Sequence, residues 1–202
     1  LVPFLKGMSR NRSIQKLDFC GMQRYNNLPI RLTLNGNTVF TLLEPFFKNN
    51  HNLKRLRIEI CNFGAGVSRA LALALVSCTN SSLEILELRS NVNISDMGMV
   101  DIITALSMHP QLETLELHDV NIGRNECTAL STLLRCTTTQ LHKLNLRGNN
   151  IDDESIEILV NAFVNLNQLQ ELNLSNNRSI TTKGWKTVST ILEMPDSKLE
   201  KL

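Results

Sequence analysis

The sequence predicts an α/β repeat solenoid, in which parallel strands form one layer and helices form the other. Two observations lead to this prediction: a leucine-rich strand motif that returns at a nearly constant interval, and a helical pattern of apolar residues after each motif. The motif begins at six leucines, Leu53, Leu83, Leu112, Leu141, Leu169 and Leu199. The steps between them are 30, 29, 29, 28 and 30 residues. A fixed period of this length is typical of stacked repeats rather than of one globular core.

The repeat that begins at Leu141 shows how one unit is expected to fold. Leu144 and Leu146 are two residues apart, which is the period of a strand with one buried face. Gly148, Asn149 and Asn150 then favour a turn. Short acidic side chains suit a helix N-terminus, and here they are Asp152 and Asp153. The next apolar residues follow helical spacing, namely Ile156, Leu159, Val160 and Phe163. Each unit is therefore a strand followed by a helix, which makes the strands parallel and the crossovers right-handed.

The same four helix positions recur in the other repeats. They hold Ser68, Leu71, Ala72 and Leu75; Met99, Ile102, Ile103 and Leu106; Cys127, Leu130, Ser131 and Leu134; and Trp185, Val188, Ser189 and Leu192. The fourth position is always large and apolar, so we expect it to pack against the strands. In the first position we expect Cys127 and Trp185 to lie in the core.

The ninth motif position predicts a structural role for asparagine. It holds Asn37, Asn91, Asn149 and Asn177, with Cys61 and Val120 as substitutes. The chain leaves the strand at this point, where an inward-facing amide can bond turn N–H and C=O groups that no strand ladder reaches.

The pattern L-x-x-L-x-L-x-x-N-x-L, followed by a full helix and a step of 28–30 residues, resembles the ribonuclease-inhibitor-like class of leucine-rich-repeat proteins. The resemblance covers essentially the whole chain. It implies a curved horseshoe with strands on the concave face and helices on the convex face. It also implies a protein-binding role, as in ribonuclease inhibitors, NOD-like receptors and Ran GTPase-activating proteins, but the fold does not name the partner.

The first quarter of the chain departs from the repeat. Strand motifs begin at Ile14 and Pro29, only 15 residues apart, and the helix expected over 37–53 is about one turn short. We predict a single array of about six to seven repeats over residues 1–202, with irregular repeats within 14–52. Terminal repeats normally carry polar caps. Neither end resembles one, so the chain is expected to be a segment of a longer protein.

Composition excludes several classes of function. The 202 residues include 21 basic and 19 acidic side chains, so charge gives no bias toward nucleic acid or anionic membranes. No apolar run approaches the length of a membrane span. The five cysteines show no paired spacing, which favours a reducing, cytoplasmic environment over a disulfide framework. We expect no cofactor and no small-molecule substrate.

Side chains at motif positions three, five and seven are predicted to face outward from the strands and to form the candidate protein-binding face. The charged candidates and histidine are Lys16, Arg31, Arg55, Arg57, Glu59, Glu87, Arg89, Glu116, His118, Lys143, Arg147 and Glu171. Register between repeats places Arg57 beside Glu87, and Glu59 beside Arg89. One interpretation is a set of solvated cross-strand ion pairs, each contributing about 0–1 kcal/mol. The other is a charged docking face whose basic end, Lys16, Arg31, Arg55 and Arg57, receives an acidic partner.

The sequence shows no catalytic constellation. The four histidines do not pair at ligand spacing, no C-x-x-C is present, and alternation sends His118 and its neighbour Asp119 in different directions. We therefore predict a non-catalytic protein-interaction module without metal or catalytic residues. The alternatives are a regulator of an enzyme, such as a Ran-type GTPase-activating protein, and the sensor region of a NOD-like receptor.

Overall fold

The fold is given by a computed structural model of the chain. The structure describes residues 7–8, 10–20, 44–59, 65–77, 82–92, 94–136, 140–163, 168–195 and 197–202.

Within the part of the chain that the structure describes, six strands form a single parallel sheet in the order of the sequence. They are β1 (Lys16–Cys20), β2 (Arg55–Glu59), β3 (Ile85–Arg89), β4 (Thr114–Glu116), β5 (Lys143–Asn145) and β6 (Glu171–Asn173). The register places the same motif leucine of each strand side by side: Leu17, Leu56, Leu86, Leu115, Leu144 and Leu172. All six leucines are buried, so one face of the sheet is committed to the core along its whole length.

Five helices of the described residues form the second layer: α1 (Ala65–Ser77), α2 (Asp96–Ala105), α3 (Arg124–Leu134), α4 (Asp153–Phe163) and α5 (Thr182–Leu192). Residues 44–49 are also helical, and a short 3₁₀ turn, Leu106–Met108, extends α2. Each of α1 to α4 packs against the helix that follows it in sequence. Packed helices need about 8–10 Å between axes, whereas strands need about 4.8 Å, so such a stack curves with its strands on the inner side. The predicted leucine-rich-repeat solenoid is confirmed.

The predicted helix positions are buried in α1 to α4, including Cys127 and Ile156 in the first position. In α5 the prediction was wrong for Trp185 and Leu192, which are 41% and 55% exposed. The first position faces the following helix: a Cβ on Gly184 would lie 3.2 Å from Cγ2 of Ile156 in α4, and one on Gly98 would overlap the side chain of Ser68 in α1. No described helix packs on the far side of α5, which leaves Trp185 facing outward.

The sheet pairs the first two described strands directly. β1 is hydrogen-bonded to β2, with Lys16 beside Arg55. The strand motif from Pro29 falls on residues that the structure does not describe, so it stays a prediction. Residues 21–43, including Arg31, lie outside the described residues. In the helical segment 44–49, Phe46 and Phe47 are buried with their rings edge to face, at a centroid distance of 5.4 Å.

Asparagine links the repeats as predicted. Asn149 Oδ1 accepts hydrogen bonds from the backbone N–H groups of Val120 and Ile122 in the preceding repeat, at 3.1 and 3.0 Å. Its Nδ2 donates to the carbonyls of Leu117 and Leu146, at 2.7 and 2.9 Å. Asn91 and Asn177 are buried in the same position and also donate to carbonyls of the repeat before. One amide therefore bonds backbone groups of two repeats that the sheet ladder leaves unpaired.

Aspartates at the start of α4 have two different roles. Asp152 caps α4 as predicted, because its Oδ1 accepts the N–H of Ser155 at 2.8 Å. Asp153 instead reaches the next repeat, where it accepts hydrogen bonds from the N–H and hydroxyl of Thr181 and the N–H of Gly184. The hydrogen bonds from Thr181 lower the pKa of Asp153. This carboxylate therefore couples the start of α4 to the start of α5.

His109 closes the end of α1 from the neighbouring repeat. Its ring is buried, and Nε2 lies 3.1 Å from the carbonyl oxygen of Leu75. Since a carbonyl can only accept, Nε2 carries the proton and donates. Burial lowers the pKa of His109, against the raising effect of this hydrogen bond. The folded protein therefore holds His109 in its neutral form.

We expect Asn149→Ala to lower the free energy of unfolding by about 1–3 kcal/mol, because buried N–H and C=O groups in two repeats lose their partner. Urea unfolding at neutral pH measures the change. Asn161→Ala is the control, since Asn161 is exposed on α4 and its side chain has no hydrogen bond among the described residues. Equal midpoints for both variants would contradict the role assigned to Asn149.

We expect His109 to make the free energy of unfolding depend on pH. The pKa of His109 is about 6.5 in the unfolded chain and lower in the folded protein. The stabilisation that the buried neutral ring of His109 provides is therefore complete above pH about 6.5 and is lost as the pH falls toward the folded pKa. In His109→Gln the loss of stability between pH 7 and 5, measured by urea unfolding, should be smaller than in the wild type. His51→Gln, at an exposed position, should retain the wild-type slope. An unchanged slope in His109→Gln would contradict the assignment.

Candidate functional site

The candidate site is the face of the sheet that points away from the helices. It corresponds to the strand face that the sequence predicts to be concave, and it is called the outer face because its side chains point outward from the strands. Alternation along each strand turns the motif leucines inward and the residues between them outward, as in the burial pattern of β2. The parallel register then aligns the outward residues across the sheet. The first row is Lys16, Arg55, Ile85, Thr114, Lys143 and Glu171; the middle row is Asp18, Arg57, Glu87, Glu116, Asn145 and Asn173. A third row, two residues further along the chain, contains Glu59, Arg89, His118, Arg147 and Ser175.

Glu87 is the centre of one cluster in the middle row. The residue is 5% exposed, although it lies on the outer side of the sheet. Its Oε2 accepts from Arg55 Nε at 2.7 Å and lies 2.6 Å from Arg55 Nη2. Its Oε1 accepts from Arg89 Nη2. Two guanidinium groups from neighbouring strands therefore cover and neutralise one carboxylate.

Glu116, one strand further, is the centre of a second cluster and is 4% exposed. Lys143 Nζ lies 3.1 Å from Oε1, and Asn145 Nδ2 donates to Oε2 at 2.8 Å. Arg89 Nη2 and His118 Nδ1 are further away, at 3.6 and 3.7 Å from Oε2. Arg89 therefore connects the two buried carboxylates.

The pKa of Glu116 is set by two opposing effects. Burial alone raises it. The hydrogen bonds from Lys143 and Asn145, together with the positive charges of Lys143 and Arg89, outweigh burial and leave the pKa below its ordinary value. The same hydrogen bond raises the pKa of Lys143. Both groups are therefore ionised at neutral pH.

The remaining charged candidates lie around these clusters. Arg57 pairs with Glu59 on its own strand. Glu171 lies 3.5 Å from Lys143 and also pairs with Lys201. Lys201 is positioned by a parallel bridge to Glu171, which continues the first row beyond β6. Lys16 and Arg147 are exposed, and neither forms an ion pair with another described residue.

The structure confirms the predicted register but corrects the predicted solvation. Arg57 does lie beside Glu87, and Glu59 beside Arg89. The bonds, however, run along or diagonally between strands, because an arginine side chain reaches past its direct neighbour. The interpretation of these pairs as solvated does not hold for Glu87, because Arg55 and Arg89 cover its carboxylate. Sequence reasoning missed Lys201 and Asn145 as members of the network, although both occupy outward motif positions.

Other kinds of site have little support among the described residues. No group of three or more His, Cys, Asp and Glu side chains comes close enough there to hold a metal ion. His118 faces Glu116, whereas the Asp119 carboxylate lies against Gly148. Within the described part of the chain, no helix is long and apolar enough to cross a membrane. The Cys127 thiol is buried, and burial raises its pKa to about 12.

Comparison with known proteins agrees with the architecture. The family model for the Leucine Rich repeat matches residues 79–102, 139–159 and 165–189. Among curated proteins, the chain is similar to NACHT, LRR and PYD domains-containing protein 13 of Homo sapiens, with 34% identity over 160 residues. It is also similar to NACHT, LRR and PYD domains-containing protein 14 of Mus musculus, with 30% identity over 99 residues.

The two similarities cover different shares of each chain. The human match covers 78% of this chain but 15% of the relative, and the mouse match covers 49% and 10%. The chain therefore spans only a small part of the length of the curated relatives that it matches.

We expect Glu116→Gln to lower the free energy of unfolding at pH 7 by about 1–3 kcal/mol, because hydrogen bonds to a charged acceptor are replaced by weaker ones. The folded pKa of Glu116 lies below the unfolded value, so its contribution is present above pH about 4.5 and is lost as the pH falls through the folded pKa. Urea unfolding from pH 7 to pH 3 should show the difference from wild type shrinking with acidity.

The control for this experiment is Glu113→Gln. Glu113 is exposed, immediately precedes β4, and has no ion pair among the described residues. It should change stability little at any pH in the range. A Glu116→Gln variant as stable as this control at pH 7 would contradict the account of the cluster.

Proposed function

The chain is a leucine-rich-repeat protein, and we propose that it is a non-catalytic docking module that holds a protein partner on the outer face of its sheet. The observation that carries the proposal is the ionic network of the outer face. Side chains from successive strands hold one another there in fixed positions across the sheet. A surface that is already ordered loses little conformational entropy when a partner binds.

The breadth of the outer face favours a macromolecule over a small ligand. Its charged side chains extend from Lys16 on β1 to Lys201 beside β6, across the whole sheet. Repeat arrays use such extended surfaces to bind other proteins. We infer that no cofactor, nucleic acid or membrane takes part, and that the chain performs no catalysis of its own.

The relatives favour one of the alternatives over the other. Their names combine an LRR region with NACHT and PYD domains in one protein. We propose that this chain corresponds to the sensor region of a NOD-like receptor. Neither relative's name mentions a GTPase-activating protein.

A cytoplasmic location is part of the proposal. Cys136 is an exposed free thiol and Cys127 a buried one, so neither forms a disulfide. Unpaired cysteines are typical of reducing compartments.

The test compares proteins captured by two matched variants. The outer-face variant combines Arg147→Glu with Ser175→Trp, and the helix-side control combines Lys186→Glu with Thr190→Trp on α5. All four positions are exposed, and each pair makes the same change in charge and introduces one tryptophan. Quantitative mass spectrometry measures recovery after affinity capture, and thermal unfolding checks that both variants fold. We expect partners of the wild type to fall at least about tenfold in the outer-face variant only.

The opposite pattern, with partners lost only from the helix-side control, would place the docking surface on the helices. Equal recovery by both variants and the wild type would also contradict docking on the outer face.

A further inference from the structure

We propose that the outer face receives an acidic segment of its protein partner, rich in Asp and Glu, lying across the strands. This inference rests on the proposed docking function and adds the chemistry of the partner. It follows from how the charges are layered, because carboxylates and cations are not equally available on this surface.

The carboxylates in the centre of the face are hidden. The side chains of Glu87 and Glu116 are each 6% exposed. The side chains that cover them are more exposed to solvent: Arg89 is 23% exposed, Arg55 29% and Lys143 41%. A molecule that approaches the centre therefore meets N–H donors, with the carboxylates beneath them.

Cations lie on both sides of the middle row, in which Glu87 and Glu116 are buried. Arg55 and Lys143 belong to the first row, while Arg89 and Arg147 belong to the third. Lys201 continues the first row past β6, and its side chain is 70% exposed. An extended acidic segment lying across the strands would have cations on each side.

Charge balance supports the same conclusion. Among the described residues, the outer face carries seven cations, Lys16, Arg55, Arg57, Arg89, Lys143, Arg147 and Lys201. Its five carboxylates are Asp18, Glu59, Glu87, Glu116 and Glu171. Two of these five carboxylates are buried, so the charged groups that a partner can contact are mainly cations. Complementary charge guides partner choice and speeds association.

Two other classes of partner fit less well. A basic segment would be repelled by the covering arginines and could not reach the carboxylates. Single-stranded nucleic acid binds through aromatic side chains that stack on bases, together with cations. The described outer rows contain no aromatic side chain other than the His118 ring. The experiment below therefore includes a single-stranded oligonucleotide as a competing class of partner.

The experiment measures binding of four fluorescent probes to the wild-type chain by anisotropy. The probes are 16-residue peptides of alternating Glu and Ser, Gln and Ser, or Lys and Ser, and a 16-nucleotide oligouridylate. Ionic strength of about 50 mM keeps charge interactions between exposed groups measurable. We expect the Glu peptide to bind at least about tenfold tighter than the other three probes.

Two charge-reversal variants locate the binding. Arg147→Glu with Lys201→Glu changes the outer face, and Lys183→Glu with Lys186→Glu makes the same change on exposed positions of α5. The outer-face variant should bind the Glu peptide at least about fivefold more weakly, while the α5 variant should bind it as the wild type does. Thermal unfolding checks that both are folded.

Several results would overturn the inference: tighter binding of the Lys peptide, binding of oligouridylate as tight as that of the Glu peptide, or equal weakening by both variants. If the Glu peptide fails to bind but Arg147→Glu with Ser175→Trp still loses captured partners, the docking proposal stands and the acidic nature of the partner is wrong. If the outer-face substitutions have no effect in either experiment, both proposals fail.

Discussion

The structure depends on parallel strands that pair in a fixed register, with one leucine of each repeat beside the corresponding leucine of the next. Leu56, Leu86, Leu115 and Leu144 form the continuous centre of this ladder, and all are fully buried. A slip of one residue would turn every inward leucine outward, so the register is strongly specified. The helix of each repeat must then return the chain to a point one strand spacing away. This requirement explains why the sequence repeats at a nearly constant interval.

The same register creates the outer face. When the inward leucines align, the residues between them must also align on the opposite side, so charged groups from different repeats come into contact. Glu87 and Glu116 are neighbours in one row although they are 29 residues apart in the chain. Arg89 bonds the first and approaches the second. A continuous charged surface is therefore a direct consequence of stacking similar repeats in register.

Much of this could be predicted from local sequence, because the same spacing rules act in every repeat. Periods of 2 and 3.6 residues within the repeat of 28–30 residues predict the strands and the helices from α1 onward. The same repeat predicts the linking role of Asn149 and places Arg57 beside Glu87. Burial of Glu116 could not be predicted, since it depends on how far Lys143 and Arg89 reach across strands. Exposure of Trp185 could not be predicted either, because its motif position is the same as that of buried residues in other repeats.

The sequence by itself determined the repeating unit, its division into a strand layer and a helix layer, and the strand side chains that face away from the helices. These properties depend on near neighbours, so a single repeat contains the information. The tertiary structure alone decided that β1 pairs directly with β2, which carboxylates are buried and which cations remain accessible. These properties depend on distances between side chains of different repeats, and such distances are set only when the stack has formed.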